Sequence, residues 1–189
     1  MEELIRRCHS RQFRNGAIPY TDHLYGVKSV LLSALTEPGE CQDPELIADL
    51  CDAALGHDLL EDTEVTEAEI VSAANARVLG LIRELTNPVD DAHTEQYMEQ
   101  LSCSTEEARL VKYADLIENT TSVAYNYYTL GEAWFTGFYA PILHRTTEVL
   151  AETDFVRYPQ TAAYLRSLLR ASERLLEAKR RNAIAEGKC

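Results

Sequence analysis

Ala54-Leu-Gly-His57-Asp58-Leu-Leu-Glu61-Asp62-Thr63 is the most informative stretch of this chain of 189 residues. Just upstream, Asp43-Pro44 reads as an N-cap followed by proline at the first helical position, opening a helix. Its inner stripe runs Leu46, Leu50, Ala53 or Ala54 and then His57, so a histidine is carried inward. On a helix Glu61 lies four residues from His57 and three from Asp58, and Asp62 lies four from Asp58, so imidazole and carboxylates gather along one side. An adjacent His-Asp pair is not specific, and the segment alone also fits a solvated acidic helix end with one hydrogen-bonded histidine.

Around this stretch the pattern is helical throughout, with no alternating strand signal competing. A first helix is expected over Glu2 to Phe13, stopped by Asn15-Gly16, with Pro19 closing the turn. A second starts at Thr21 or Asp22 as N-cap and carries Leu24, Val27, Val30 and Leu31 on one face to about Leu35. Thr66-Glu-Ala-Glu69 and Ser104-Thr-Glu-Glu107 both match the capping box, the first opening a helix toward Ala74 and the second one running to about Asn119. Between them fall helices over Arg77 to Leu85, ended by Asn87-Pro88, and over Thr94 to Leu101. After an aromatic stretch, Tyr125 to Tyr139, come helices over Ile142 to Ala151 and Thr161 to Ala185. The aromatic rings read chiefly as packing between short helices rather than as a base-stacking wall. The expected architecture is an all-α bundle in a single domain over residues 1–189, with the motif-bearing core at 8–122 and C-terminal packing helices at 140–185.

Composition agrees. With 46% apolar and 26% charged residues and only eight glycines and six prolines, the chain suits one globular, helix-rich domain. No apolar run is long enough to span a bilayer and the first residues are no secretory signal, so a cytoplasmic address is expected. The net charge of −13, from 31 acids against 18 bases, repels nucleic acid polymers and anionic membranes, and neither is an expected partner. A phosphate-bearing small molecule must therefore be won locally, by a basic pocket or a cation. Five cysteines without a C-x-x-C pair indicate neither a disulfide framework nor a thiolate zinc site, and read as reduced thiols.

Two flanking segments give His57-Asp58 its meaning: Tyr20-Thr-Asp-His23, and Val111-Lys-Tyr-Ala-Asp115-Leu-Ile-Glu-Asn119. Asp115 falls on the stripe Ala108, Val111, Asp115, Asn119, where a buried carboxylate needs a cation. His23, His57, Asp58 and Asp115 together supply nitrogen and oxygen donors with a charge of about −2, enough to neutralise one divalent ion and leave positions for water and a phosphate oxygen. Mixed ligation without cysteine fits Mn²⁺ or Fe²⁺, tolerates Mg²⁺ or Zn²⁺ and disfavours structural zinc; Mn²⁺ is the expected ion. Glu61 and Asp62, one turn on, are placed for general acid/base work on a metal-activated water or a leaving oxygen. The acidic Asp22 and Glu118 flank the site and add to its demand for a cation.

These residues resemble the HD superfamily of metal-dependent phosphohydrolases, whose pattern is H, then HD, then D, and among them the hydrolase domain of the RelA/SpoT family. The matching phrases are Arg14 followed by Ile18-Pro19-Tyr20-Thr-Asp-His23, then Ala54 to Thr63, then Val111 to Asn119. The resemblance implies an all-α HD fold, Mn²⁺ on His23, His57, Asp58 and Asp115, and catalysis by Glu61 and Asp62. It also implies Arg14 lining a guanine pocket and Asn119 contacting the ribose. Taken singly, Arg14 also reads as a surface charge at a helix end and Asn119 as a helix C-cap. The family's usual lysine after the pocket arginine is Asn15 here, and its proline after the first ligand histidine is Leu24. Lys112 is the candidate for part of the lost phosphate contact, and equally fits an ion pair with its own helix.

The implied activity is removal of the 3′-pyrophosphate from guanosine tetra- or pentaphosphate, as in a stringent-response alarmone hydrolase, by a metal-bound water attacking phosphorus. At this length a stand-alone small hydrolase is expected. One alternative is an HD-type nucleotidase or phosphohydrolase with another nucleotide substrate. A second, of another class, is a catalytically silent HD module that senses a nucleotide or binds a protein, against which the full set of ligands plus Glu61 and Asp62 argues. Oligomeric state is open.

Overall fold

The computed structural model describes residues 1–14, 17–87 and 95–187. The chain begins with α1 (Glu2–Cys8), then a hairpin of β1 (Phe13–Arg14) and β2 (Ile18–Pro19), then α2 (Tyr20–Thr36) and α3 (Pro44–Gly56). Short helices α4 (Leu59–Asp62), α5 (Glu67–Ala73), α6 (Ala76–Leu85) and α7 (Glu95–Cys103) lead to the long α8 (Glu106–Leu130). After α9 (Glu132–Trp134) and a π-helical turn (Phe135–Tyr139), α10 (Ala140–Glu152) and α11 (Pro159–Ala185) complete the order. The all-α expectation holds, with the small hairpin as an addition.

Helix α8 is the axis of the bundle, packed along α11, α2, α3, α6 and α10. Its apolar positions Leu110, Val111 and Ala114 meet Leu24, Val27 and Leu31 of α2, Leu50, Ala53 and Ala54 of α3, and Leu165 and Leu169 of α11 in one buried cluster. Each fully buried leucine there contributes roughly 1.5–3 kcal/mol of transfer free energy. A second cluster joins Val123, Ala124 and Tyr127 at the far end of α8 to Phe135, Tyr139, Leu176 and Ala183. Phe135 and Tyr139 are thus packing residues, as their setting in the sequence indicates.

Local signals explain most boundaries. Asp43 accepts hydrogen bonds from the backbone of Glu45 and Leu46 with proline at the start of α3. Thr66 and Glu69 form a complete capping box on α5. Asn75 caps α6 through the Val78 N–H. Gly131 ends α8 with φ of 81°, a conformation that costs glycine little.

Other expectations need correction. The first helix ends at Cys8 rather than Phe13, because Phe13 and Arg14 pair with Pro19 and Ile18 as strands. Ile18 precedes a proline, which favours extended backbone. The second helix begins at Tyr20, and neither Thr21 nor Asp22 caps it. Thr105, not Ser104, caps α8, accepting from the Ala108 N–H. The Ser104 hydroxyl instead donates to the Leu101 carbonyl, and Glu107 is buried against Arg157 and Tyr158. Helix α8 also runs on past Asn119 to Leu130 and absorbs Tyr125 to Tyr128. Pro88 and Thr94, on which two further boundaries rested, lie outside the described residues, as does Asn15.

The capping box yields a stability test. Glu69 accepts from the Thr66 backbone N–H and from Arg7 at 2.8 Å, which hold its carboxyl down at about 2, against an ordinary 4.5. Because the folded-state pKa is depressed, the contribution of Glu69 is complete above about 4.5 and is lost as pH falls toward 2. Urea titrations of wild type and Glu69→Gln should therefore differ near neutrality and converge on acidification. Thr66→Ala should cost about 1 kcal/mol at neutral pH.

Candidate active site

Two helices and one break between helices bring the proposed ligands together. His23 comes from the first turns of α2 and Asp115 from the middle of α8. His57 and Asp58 occupy the break between α3 and α4, rather than one continuous helix through Thr63. Asp58 there has φ −95° and ψ 0°, a conformation frequent in turns and active sites. Gly56, just before the break, lies so close to its neighbours that an added Cβ would meet Ile82 Cδ1 at 2.8 Å. The break is therefore pressed directly against α6.

The imidazoles and Asp115 are almost fully enclosed, at 3% exposure for His23, 4% for His57 and 5% for Asp115. His57 Nε2 lies 3.1 Å from Asp58 Oδ2 and 3.5 Å from Asp115 Oδ1. His23 Nε2 lies 3.6 Å and 3.4 Å from the same two oxygens. His23, His57 and Asp58 offer ligand atoms that all lie within 4.8 Å of one another, and Asp115 Oδ1 lies 3.4 Å and 3.5 Å from the two imidazole nitrogens.

The hydrogen bonds behind this cluster fix which atoms face it. His57 Nδ1 lies 2.8 Å from the Ala54 carbonyl, an acceptor, so Nδ1 carries a proton and donates. Among the described residues the buried Nε2 has no hydrogen-bond partner, and it aims at two carboxylates. A lone pair pointed at carboxylate oxygens is tolerable only if a cation or a proton lies between them. Burial disfavours a charged His57, yet the charge of Asp58 and the hydrogen-bonding reach of Asp115 outweigh it and hold the ring well above its usual pKa. Asp58 and Asp115 are correspondingly held low, burial opposing and their cationic neighbours prevailing. An orphaned imidazole nitrogen, hard oxygen donors and a local need for positive charge fit a divalent ion on His23, His57, Asp58 and Asp115.

The carboxylates are anchored from outside. The Tyr20 hydroxyl donates to Asp58 Oδ2 at 2.7 Å. Lys112 Nζ donates to Asp115 Oδ2 at 2.9 Å, and Asn119 Nδ2 to Asp115 Oδ1 at 2.6 Å. A cavity of about 50 Å³ opens beside them, lined by His57, Asp58, Glu61, Tyr97, Lys112 and Asp115 among others. That suits a cation with a little water. Glu61 stands at its edge, one oxygen accepting the Asn87 N–H at 3.0 Å. Burial, reinforced by the charge of Asp58, raises the Glu61 carboxyl above its ordinary pKa, and the same two causes raise Asp62. Asp62 does not line this cavity; its surroundings are Gln12, which donates to its carbonyl, and Tyr20.

Arg14 is no loose surface charge. It is half-buried on β1, with Nη1 donating to Glu118 Oε2 at 2.8 Å and Nη2 to Asn119 Oδ1. It also borders a second cavity of about 200 Å³ with Ser122, Val123, Leu130 and Trp134. Asn119 lies inside α8, so the C-cap reading is excluded. Lys112 forms the ion pair with Asp115, stands over the Tyr97 ring at 5.4 Å and lines the cavity beside His57 and Asp58. Arg145 pairs with Glu95. Sequence reasoning left Tyr20 and Tyr97 without a role. Tyr20 could have been found from its place three residues before His23, one turn away on the same helix face.

A buried His, His-Asp and Asp set carried on an all-α bundle is the arrangement that the motif resemblance implies. No protein-family model matches the chain. In sequence it is 34% identical over 105 residues to the guanosine-3′,5′-bis(diphosphate) 3′-pyrophosphohydrolase MESH1 of Danio rerio, a match covering 53% of each chain. It is 28% identical over 116 residues to MESH1 of Drosophila melanogaster, covering 57% of this chain and 58% of that one. The matches thus span little more than half the length of either relative. A solved structure of a metazoan ortholog of SpoT, described as hydrolyzing ppGpp with a role in starvation responses, superposes with a TM-score of 0.65 at 21% identity. That superposition covers 89% of this chain and 91% of the other. The resemblance seen in the motifs is borne out: the chain is similar in sequence to HD-type ppGpp pyrophosphohydrolases and shares the fold of one. Among the described residues no helix is long and apolar enough to cross a membrane.

The Lys112–Asp115 pair gives a direct test. Lys112→Met removes the cation from an enclosed carboxylate and should destabilise the metal-free protein by about 3 kcal/mol in urea unfolding. Added Mn²⁺ should recover part of that loss, because a bound ion stabilises the folded state by mass action.

Proposed function

We propose that this chain is a Mn²⁺-dependent phosphohydrolase that removes the 3′-pyrophosphate of guanosine tetra- or pentaphosphate, residues 1–189 acting as one hydrolase domain. The observation that carries the metal is His57 Nε2, buried, without a hydrogen-bond partner among the described residues and facing Asp58 and Asp115. The similarity to MESH1 carries the substrate class, a small nucleotide.

The ion would be held by His23, His57, Asp58 and Asp115, and when bound it supplies Lewis acidity toward a phosphoryl oxygen and toward water. Glu61, oriented by the Asn87 N–H and with its pKa raised by burial, takes the proton of the attacking water. Water oxygen bonds to the phosphorus next to the sugar, the bond from that phosphorus to the 3′-oxygen breaks, and the departing oxygen takes up a proton. Asp62, raised in the same direction, is the second proton carrier. Tyr20 keeps Asp58 turned toward the cluster. Arg14 has both terminal nitrogens tied to Glu118 and Asn119, so it offers a guanine ring its flat face. The cavity it shares with Trp134 is the proposed base site, and Asn119 the ribose contact.

One observation favours the alternative of a different nucleotide. Lys112 is engaged by Asp115, which leaves the site with less positive charge for a second diphosphate than a free lysine would provide.

Wild type loaded with Mn²⁺ should release pyrophosphate, not orthophosphate, from ppGpp, and chelation should abolish turnover. Asp58→Ala should lose bound Mn²⁺ by elemental analysis and at least ~10³-fold in kcat/KM. Arg14→Ala should raise KM for ppGpp about tenfold with kcat little changed. Turnover of ppGpp untouched by Arg14→Ala would favour the other nucleotide substrates.

A further inference from the structure

Glu118 lies on α8 three residues beyond Asp115, and its side chain reaches across to α2. One oxygen, Oε2, receives two donors from different parts of the chain. The Nδ1–H of His23 donates to it, and so does Nη1 of Arg14, at 2.8 Å. The first bond holds the His23 ring with Nε2 toward Asp58 and Asp115. The second holds the guanidinium by its edge, beside the Arg14–Trp134 cavity.

The partner helix is shaped to admit this side chain. Gly26 lies one turn beyond His23 on α2, and a Cβ built there would meet Glu118 Cγ at 2.8 Å. Glycine inside a helix is unfavourable by roughly 0.5–1 kcal/mol relative to alanine. Position 26 has no positive φ to excuse it. The room it leaves is filled by the stem of Glu118.

We propose that Glu118 is a positioning residue joining the two halves of the site. A single carboxylate orients and makes more basic the metal ligand His23, and also anchors the base-contacting Arg14. The inference rests on the metal and nucleotide reading above. Carboxylates behind a ligating histidine strengthen its hold on the ion, and their loss typically weakens metal binding or activity 10- to 100-fold. Because the same oxygen serves Arg14, nucleotide affinity should fall in the same variant, whereas loss of Arg14 itself leaves His23 its acceptor.

Calorimetric titration with Mn²⁺ of the whole protein, beside KM and kcat for ppGpp, tests this. Glu118→Ala should weaken Mn²⁺ binding about 10- to 100-fold and raise KM. Glu118→Gln, of the same shape, should fold as wild type and fall between the two, since its amide oxygen still accepts from Nδ1 but without charge. Arg14→Ala should raise KM yet bind Mn²⁺ within about twofold of wild type, because Arg14 touches none of the ligands. Wild-type Mn²⁺ affinity in both Glu118 variants overturns the inference, as does an equal loss in Arg14→Ala. A wild type that binds Mn²⁺ but leaves ppGpp intact sinks the substrate reading alone, and the Mn²⁺ series still decides the role of Glu118.

Discussion

Two imidazoles and two carboxylates are shut inside a helical bundle, and the charge they bring with them is the constraint that the surrounding residues answer. Asp58, Asp115 and Glu118 are set against Lys112 and Arg14, and a tyrosine and an asparagine supply neutral donors. That leaves the carboxylates ahead of the permanent cations by one. The balance must come from protonated histidine or from a bound cation. A packed apolar core of the same volume would be easier to fold. Retaining such a cluster makes sense where a cation is put to use.

The same charge balance bears on how so acidic a protein would handle the proposed nucleotide. With a net charge of −13 the long-range field offers a polyphosphate nothing. Nearby arginine and lysine are engaged by Glu118 and Asp115, so neither acts as a free counter-charge. In the proposed function attraction would fall to the ion at short range, with Arg14 contributing shape and stacking. On that proposal the small cavity of about 50 Å³ beside His57 and Asp58 would take the ion with water, and the one of about 200 Å³ beside Trp134 the ring.

Helix α8 ties these two places together. Asp115 faces the ligand cluster, Glu118 and Asn119 meet Arg14, and Ser122, Val123 and Leu130 border the second cavity. Its 25 residues span about 37 Å at helical rise, so a single rigid element sets the distance between the two places. Its apolar face is held by α2, α3 and α11, which is why a polar stripe can be tolerated along it. The break at His57-Asp58 plays the complementary part. It turns two consecutive side chains toward the same point, which a continuous helix would splay about 100° apart.

Patterning along the chain was enough to reveal the helical class, the caps at Asp43 and Thr66, the inward stripe ending at His57, and the four residues that converge. These follow from helical periodicity and from the chemistry of residue types, both of which act locally. The early stop of α1, the two-residue strands at Phe13 and Ile18, and the cap at Thr105 in place of Ser104 were hidden, because long-range pairing and burial override weak local preferences there. So were the separation of Asp62 from the ligand cavity and the sharing of Glu118 by His23 and Arg14, whereas the Lys112–Asp115 pair, three residues apart on one helix, is the ion pair that the spacing allowed. Side-chain partners from distant segments are chosen by which donor first reaches a buried acceptor. That depends on how helices lie against each other in space, which no spacing along the chain encodes.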